Sequence, residues 1–235
     1  MQPSCIILGG PNGSGKSSAY AKLQLDGVWI NADEIAKELT GSSDGRAAAM
    51  AAGRAAIRKL AEMIDTKTSF IYETTLSSQQ SINLMRDAKA AGFSVGLYYT
   101  ALDNVETNIR RVKERVEAGG HDIPERDIRR RYAGSLEKLT DALKLADEAL
   151  LIDNSGIQPR DVIRISAGKV EAVDIDDRNE LHKLFVAKVC EAFGLVRYDN
   201  GFRKVPKLAA RRGDDMVSDT PKPSPRHRSK PPGMK

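Results

Sequence analysis

Short apolar runs alternate with longer stretches of helical periodicity along most of the chain. A short apolar run bounded by turn residues is typical of a buried strand, whereas apolar residues spaced three and four apart are typical of a helix. The apolar runs predict strands over residues 5–8, 27–31, 69–72, 93–100 and 149–153. The periodic stretches predict helices over residues 18–25, 32–39, 45–65, 77–91, 104–118 and 124–146.

This repeated strand–helix order predicts an α/β fold with a parallel sheet and helices on both of its faces. The pattern changes after the fifth strand, where segments 162–166 and 169–173 flank Ala167-Gly168 and predict a β-hairpin. A helix over 178–193 follows, with Gly194 as its stop. We divide the chain into a core over 1–155 with a lid at 119–131, a hairpin and helix over 156–205 packed on that core, and a tail over 206–235.

The formal net charge of +5 belongs entirely to residues 206–235. That segment holds eight Lys/Arg, three Asp/Glu, six of the ten prolines and no aromatic residue, which leaves 29 Lys/Arg and 29 Asp/Glu in the rest of the chain. Such a segment cannot bury enough apolar surface to fold alone, so we predict a disordered basic tail. Nucleic-acid binding is therefore not expected, except as a weak electrostatic contact of this tail.

The sequence also indicates the cellular compartment in which the protein acts. The sequence has neither a membrane-spanning apolar segment nor the pattern of a signal peptide. Cys5 and Cys190 fall in a predicted strand and a predicted helix, and their spacing does not suit a metal site. We interpret both as buried thiols in a reducing compartment and expect a cytoplasmic protein.

A phosphate-binding motif follows the first predicted strand. The run Gly10-Pro11-Asn12-Gly13-Ser14-Gly15-Lys16-Ser17 matches G-x-x-x-x-G-K-[ST], with the strand before it and the helix after it that this motif requires. Its glycines let backbone N–H groups point at phosphate oxygens, Lys16 would reach the outer phosphates, and the Ser17 hydroxyl would bind Mg²⁺. The sequence thus predicts a P-loop NTPase-type fold that binds ATP. The expected ATP contacts are Gly10, Pro11, Asn12, Gly13, Ser14, Gly15, Lys16, Ser17, Ser18 and Asn154.

Carboxylates come directly after the second and third predicted strands, at the sheet edge where ligands of such folds bind. Asp33 is the predicted general base, because it lies two residues beyond the second strand. A helix-capping role for Asn31 and Asp33 suits this position equally well. Glu73 ends an apolar run as a Walker B acid does, and it could act on magnesium, through water or on the substrate. Thr74 and Thr75 follow as candidate substrate contacts, although such residues also cap helices.

Arginines border the glycine break at Gly119-Gly120, which separates two predicted helices. They are Arg111, Arg115, Arg129, Arg130 and Arg131. At 100° per residue, Arg129 and Arg131 flank the apolar stripe of the second helix, whereas Arg130 points away from it. Segment 119–131 thus resembles a lid whose arginines stabilise a transferring phosphoryl group, with a solvated basic face as the alternative for any single arginine.

Blocks of this sequence resemble, in order, those of zeta-toxin-type kinases. The blocks are GGPNGSGKS over 9–17, NADEI over 31–35, YETTL over 72–76, RVEAGGHDIP over 115–124 and IRRRY over 128–132. The resemblance covers about residues 1–154 and implies a P-loop kinase that uses ATP and Mg²⁺. Studied members phosphorylate the 3′-hydroxyl of the sugar in UDP-N-acetylglucosamine or related UDP-sugars. An antitoxin protein is a possible partner.

The resemblance also implies residue roles. Asp33 matches the catalytic base, and Glu73 matches the acidic residue beside the substrate and a candidate magnesium ligand. The other predicted catalytic residues are Lys16 and three lid arginines, Arg115, Arg130 and Arg131. Arg130 is included because it matches the family motif.

Two other functions stay open at this point. One is a kinase of the same fold that acts on a nucleotide, a nucleic-acid end or another metabolite. The other is a non-catalytic nucleotide-binding regulatory module. The combination of Asp33 with Glu73 favours catalysis over binding alone. A GTPase is disfavoured because no strand is followed by Asn-Lys-x-Asp, and a transporter ATPase because the Leu-Ser-Gly-Gly-Gln signature is missing.

Overall fold

A seven-stranded sheet organises the computed structural model, which describes residues 2–18, 25–40, 46–120, 122–198 and 201–205. Its strands are β1 (Ser4–Gly9), β2 (Val28–Asn31), β3 (Phe70–Thr74), β4 (Ser94–Ala101), β5 (Glu148–Asp153), β6 (Arg160–Ser166) and β7 (Lys169–Ala172). Their order is β2-β3-β1-β4-β5-β6-β7. Strands β1 to β5 are parallel, and β6 and β7 are antiparallel additions. The predicted α/β fold with a mostly parallel sheet is confirmed.

Helices begin and end within two residues of their predicted bounds. They are α1 (Ala32–Thr40), α2 (Arg46–Asp65), α3 (Gln79–Ala90), α4 (Val105–Glu117), α5 (Glu125–Leu145) and α6 (Glu180–Phe193). The Asn104 side chain accepts a hydrogen bond from the Thr107 N–H and starts α4. Gly194 ends α6 in the left-handed conformation, at φ 63°. Helical backbone also begins at Lys16, but most of the helix predicted over 18–25 lies outside the described residues.

Two separate groups of buried apolar side chains stabilise these elements. The main core joins one face of the sheet to α2, α3, α5 and α6, with fully buried Ile7, Leu97 and Phe185 among its members. A smaller cluster, the lid cluster, consists of Ile109, Val112, Ile123 and Ile128. It connects α4 with the start of α5, as the apolar stripes of these helices predict.

The C-terminal hairpin is confirmed, and it continues the central sheet. Strands β6 and β7 pair antiparallel to each other, and β6 pairs antiparallel to β5. Ala167 and Gly168 form the turn with φ values of 49° and 74°, as a type I′ hairpin turn requires. The division of the chain near residue 155 stays a prediction, and the tail predicted over 206–235 lies outside the described residues.

A second hairpin, β8 (Leu195–Tyr198) and β9 (Gly201–Lys204), was not predicted. The sequence Asn200-Gly201, at the point where β9 begins, is a strong hairpin signal that could have identified it.

The cysteines differ in their surroundings. Cys5 is fully buried, as predicted, and burial raises the pKa of its thiol to about 12. Cys190 is only half-buried, so the prediction that this thiol is buried is wrong. It lies near the end of α6, shortly before β8 begins. Both thiols are free. In the described part of the chain, no helix has the length and apolar character needed to cross a membrane.

Candidate active site

The predicted phosphate loop lies at the carboxyl edge of the sheet, between the end of β1 and the helical turn that begins at Lys16. Gly13 and Gly15 adopt φ values of 76° and 94°, a region that favours glycine. Space demands glycine as well, because a Cβ at Gly13 would lie 2.6 Å from the backbone oxygen of Asn108. A Cβ at Gly15 would overlap the Asn154 amide. The loop is therefore packed tightly between α4 and the end of β5.

Two asparagine side chains hold alternate peptides of this loop. Asn108 Nδ2 donates to the carbonyl oxygen of Asn12 at 2.6 Å, and Asn154 Nδ2 donates to that of Ser14 at 2.8 Å. In a trans peptide the carbonyl and the following N–H point in opposite directions. Each asparagine therefore fixes the direction of one carbonyl group. The N–H of the following glycine, Gly13 or Gly15, then points to the opposite side of the loop.

Asn154 was predicted as an ATP contact, and the structure places its amide on the loop backbone. Asn108 was missed. It is fully buried, and it lies on the apolar stripe of α4 between Val105 and Val112. A polar residue within an apolar stripe is the signal that could have identified it.

Lys16 is buried in the loop, with 7% of its surface exposed, and its Nζ donates to the Pro11 carbonyl oxygen at 2.9 Å. Burial lowers the pKa of Lys16 from its ordinary value, whereas the charges of Glu73 and Asp33 oppose this shift. The nearby positive charges of Arg115 and Arg131 act in the same direction as burial. Lys16 thus lies within electrostatic reach of both predicted carboxylates and two lid arginines.

Glu73 lies near the end of β3 and faces the loop. Its carboxylate accepts hydrogen bonds from Ser17 Oγ at 3.1 and 3.0 Å and from Asn31 Nδ2 at 2.9 Å. A hydroxyl and a carboxylate are the oxygen ligands that Mg²⁺ prefers, and Mg²⁺ commonly takes only one or two of them from the protein. The Ser17–Glu73 pair therefore suits a magnesium ion bound together with phosphate oxygens.

Asp33 is the second residue of α1, and it does not cap this helix. Asn31 Oδ1 accepts the backbone N–H groups of Asp33 at 2.8 Å and of Glu34 at 3.4 Å, which gives the capping role to Asn31. The Asp33 side chain is exposed and makes no hydrogen bond to any residue that the structure describes. Asp33 also lines a cleft together with Lys16 and Glu73.

A cleft of about 390 Å³ brings these groups together. Its lining includes Asn12, Lys16, Asn31, Asp33, Glu73, Thr74, Thr75, Ser77, Arg130 and Arg131. The two threonines already have partners, because Thr74 Oγ1 lies 3.0 Å from Ser81 Oγ and Thr75 Oγ1 lies 2.8 Å from Ser77 Oγ. Substrate contacts by Thr74 and Thr75 stay predictions, and their observed bonds order the turn between β3 and α3.

The lid arginines have different surroundings. Arg129 donates to Glu106 at 2.6 and 2.9 Å and also to Glu125, which holds it outside the cleft lining. Arg131 lines the cleft and donates to Asn12 Oδ1 at 3.3 Å. Arg130 lines the cleft too, although it pairs with Asp127 at 3.1 Å on a largely exposed side chain.

Arg129 and Arg131, which helical geometry grouped together, are thus separated by the fold. Arg130, which helical geometry placed opposite the apolar stripe, lines the cleft together with Arg131. Helical geometry predicts how the arginines are spread around the helix, but it does not locate the cleft relative to them.

Comparison with known proteins identifies the family. A family model described as Zeta toxin matches residues 1–158. The chain belongs to the zeta toxin family. An uncharacterized protein of Haemophilus influenzae is 40% identical over 134 residues, which are 56% of this chain and 94% of that protein. Membership of the zeta toxin family supports a nucleotide-dependent kinase, and the matched region contains every predicted site residue.

Solved structures share this fold at low sequence identity. The AvrRxo1-ORF1 and AvrRxo1-ORF2 complex with sulphate ions has a TM-score of 0.58 and 17% identity, covering 84% of this chain and 66% of that chain. The same complex with ATP has a TM-score of 0.50 and 16% identity over the same shares. At this identity the likeness shows the fold alone. Strands β6 and β7 and helix α6 begin after residue 158, where the zeta toxin match ends.

Proposed function

We propose that this protein transfers the γ-phosphate of ATP to a hydroxyl group of a small molecule, with a UDP-sugar such as UDP-N-acetylglucosamine as the acceptor. The observation that carries this proposal is the exposed Asp33 carboxylate, which has no capping duty and shares a cleft with Lys16 and Glu73. A hydroxyl group needs such a carboxylate to accept its proton as it attacks phosphorus.

The hydrogen bonds of the two carboxylates support different roles for them. Both Glu73 oxygens accept bonds from Ser17, and one also accepts from Asn31. Glu73 therefore suits the phosphate and magnesium side of the cleft. Asp33 makes no side-chain hydrogen bond within the described residues, so it suits the proton of the acceptor hydroxyl.

ATP and Mg²⁺ would be held by the loop. Lys16 would exchange its bond with the Pro11 carbonyl for the outer phosphates, and the glycine N–H groups would contact the inner phosphate oxygens. Ser17 and Glu73 would hold the metal ion. When bound, Mg²⁺ supplies positive charge that offsets the charge developing on the transferring group.

Arginines lining the cleft would stabilise that charge and the phosphates of the acceptor. Arg130 and Arg131 are the candidates in the cleft lining, and Arg115 is near enough for its charge to act on Lys16. Arginine matches phosphate oxygens with paired N–H donors, which suits an acceptor that carries a diphosphate. Arg129 is excluded from this role by its two carboxylate partners.

The sugar nucleotide, a protein partner and the compartment are proposed on other grounds. Family resemblance points to the UDP-sugar. An antitoxin is the proposed protein partner, since the family takes its name from toxins. A cytoplasmic location is proposed because the two cysteines are free thiols, which persist in reducing compartments.

The test is to incubate the full chain with ATP, Mg²⁺ and UDP-N-acetylglucosamine and to measure product mass. We expect a product heavier by one phosphate. The panel also contains a nucleoside monophosphate, a 5′-hydroxyl oligonucleotide and an unphosphorylated sugar. Transfer to one of these with none to the UDP-sugar would contradict the proposed acceptor and leave the kinase assignment intact. ATP binding without transfer to any acceptor would favour a regulatory module.

A further inference from the structure

A buried polar cluster connects helix α6 to the end of β5. Asp153 is 4% exposed and His182 is fully buried, with His182 Nε2 lying 3.0 Å from Asp153 Oδ2. The same oxygen accepts a bond from Asn179 Nδ2 at 3.3 Å, and Asp153 Oδ1 accepts the Ser155 N–H at 2.8 Å. Both oxygens of a buried carboxylate are thus satisfied, and two of the donors come from the first turn of α6 or its cap.

The hydrogen bonds of His182 determine its tautomer. Its Nδ1 accepts the backbone N–H of Asp176 at 2.9 Å, so this nitrogen carries no proton. The proton therefore lies on Nε2, which donates to Asp153. Asp153 thus accepts a hydrogen bond from His182 of α6. The imidazole ring of His182 is held in place because each of its two nitrogens makes a hydrogen bond.

The residue after Asp153 contacts the ATP loop. Asn154 Nδ2 donates to the Ser14 carbonyl oxygen at 2.8 Å, and its own backbone N–H donates to the Ala101 carbonyl at 3.0 Å. A shift of the Asp153 backbone would move Asn154 with it. The peptide that follows Ser14 carries the Gly15 N–H, whose direction depends on that carbonyl being held.

We propose that helix α6 positions the ATP loop through the chain His182, Asp153, Asn154 and Ser14, with His182 and Asp153 as positioning residues. The inference rests on the proposed binding of ATP at the loop. It gives a role to a helix that lies beyond the family match, which ends at residue 158. None of these side chains lines the cleft, so their effect on ATP would be indirect.

A second attachment of α6 supplies a matched control. Thr140 Oγ1, in α5, donates to Glu191 Oε2 near the other end of α6 at 2.9 Å, and Thr140 is 3% exposed. Replacing Thr140 by valine removes this bond at almost constant volume. It loosens α6 from the core without touching the β5 end.

The experiment measures the dissociation constant of ATP by calorimetry and the melting temperature of each full-length variant. His182→Leu removes the donor to Asp153, and His182→Gln returns an amide N–H near the position of Nε2. We expect His182→Leu to weaken ATP binding by about tenfold, as for the loss of one well-formed buried bond. His182→Gln should recover most of that loss. Thr140→Val should lower the melting temperature while leaving ATP affinity at the wild-type value.

Asp153→Asn is the second variant, in case His182→Leu does not fold. It is isosteric, and its amide N–H groups must face either the His182 N–H or the Ser155 N–H, so it should weaken ATP binding similarly. Wild-type ATP affinity in a folded His182→Leu or Asp153→Asn protein would overturn the inference. So would an equal loss of affinity in Thr140→Val, since the effect would then follow stability in general. Failure of the wild-type protein to bind ATP would instead reject the proposed function on which the inference rests.

Discussion

Replacing Gly15 by alanine tests how tightly the ATP loop is held. Gly15 has a φ of 94°, and a Cβ at this position would overlap Asn154 Nδ2. The substitution therefore forces a left-handed alanine and displaces the amide that holds the Ser14 carbonyl. Gly92→Ala is the matched control, because Gly92 has a φ of 85° and its Cβ would meet no described atom within 4 Å.

The two variants separate backbone strain from the lost contact. A left-handed conformation costs an alanine about 1–2 kcal/mol, and this cost applies to both variants. Loss of the Asn154 hydrogen bond adds about 1 kcal/mol in Gly15→Ala alone. We expect the free energy of unfolding to fall by about 2–3 kcal/mol in Gly15→Ala and by about 1–2 kcal/mol in Gly92→Ala, measured by urea denaturation.

ATP affinity separates the variants more sharply. Gly15→Ala misdirects a backbone N–H that would contact a charged phosphate, and such a bond is worth about 1.5–3 kcal/mol, so ATP binding should weaken by about tenfold or more. Gly92→Ala lies at the end of α3, away from the cleft, and should bind ATP as the wild-type protein does. Equal stability loss in both variants, together with wild-type ATP affinity in Gly15→Ala, would refute the reasoning about the loop.

Further predictions concern charge, proton transfer and thiols. Lys16→Ala should abolish measurable ATP binding in a calorimetric titration, because it removes the charge that holds the outer phosphates. In the wild-type protein, ATP affinity should be lost as the pH rises through the lowered pKa of Lys16, below the ordinary 10.5, and a titration of affinity against pH would locate this step. Asp33→Asn should retain ATP affinity and reduce transfer by about a hundredfold or more, whereas Glu34→Gln, outside the cleft lining, should keep normal rates. With Cys5 buried and its pKa raised to about 12, a thiol reagent should label Cys190 first in the folded protein and both cysteines after unfolding.

Local features of the fold could be predicted from the sequence because short segments determine them. The phosphate loop, the strand before it and the ends of α4 and α6 follow from glycine positions, apolar runs and capping asparagines. The placement of Asp33 and Glu73 at one edge of the sheet follows from parallel strand order. These features need only neighbours in the chain and one rule of topology.

Contacts between distant segments could not be predicted in the same way. Arg129 does not line the cleft because its guanidinium is hydrogen-bonded to Glu106. The helical periodicity of α5 carries no information about Glu106, which belongs to α4. His182 and Asn108 are far in sequence from the residues that they hold. Their single signal is a polar side chain on an apolar face, and this feature does not name its partner.

Helix α5 belongs to both groups of buried side chains, with Ile128 in the lid cluster and Leu139 in the main core. Its C-terminal half packs in the main core, whereas its N-terminal half packs in the lid cluster and carries the arginines that line the cleft. Arg131 lies about 12 Å from Leu139 along the helix axis at 1.5 Å per residue, so a tilt of about 10° would displace it by about 2 Å. A displacement of that size would be enough to break a hydrogen bond between Arg131 and a phosphate oxygen. Because the two apolar clusters are separate, such a tilt of the N-terminal half would not require the core of the sheet to repack.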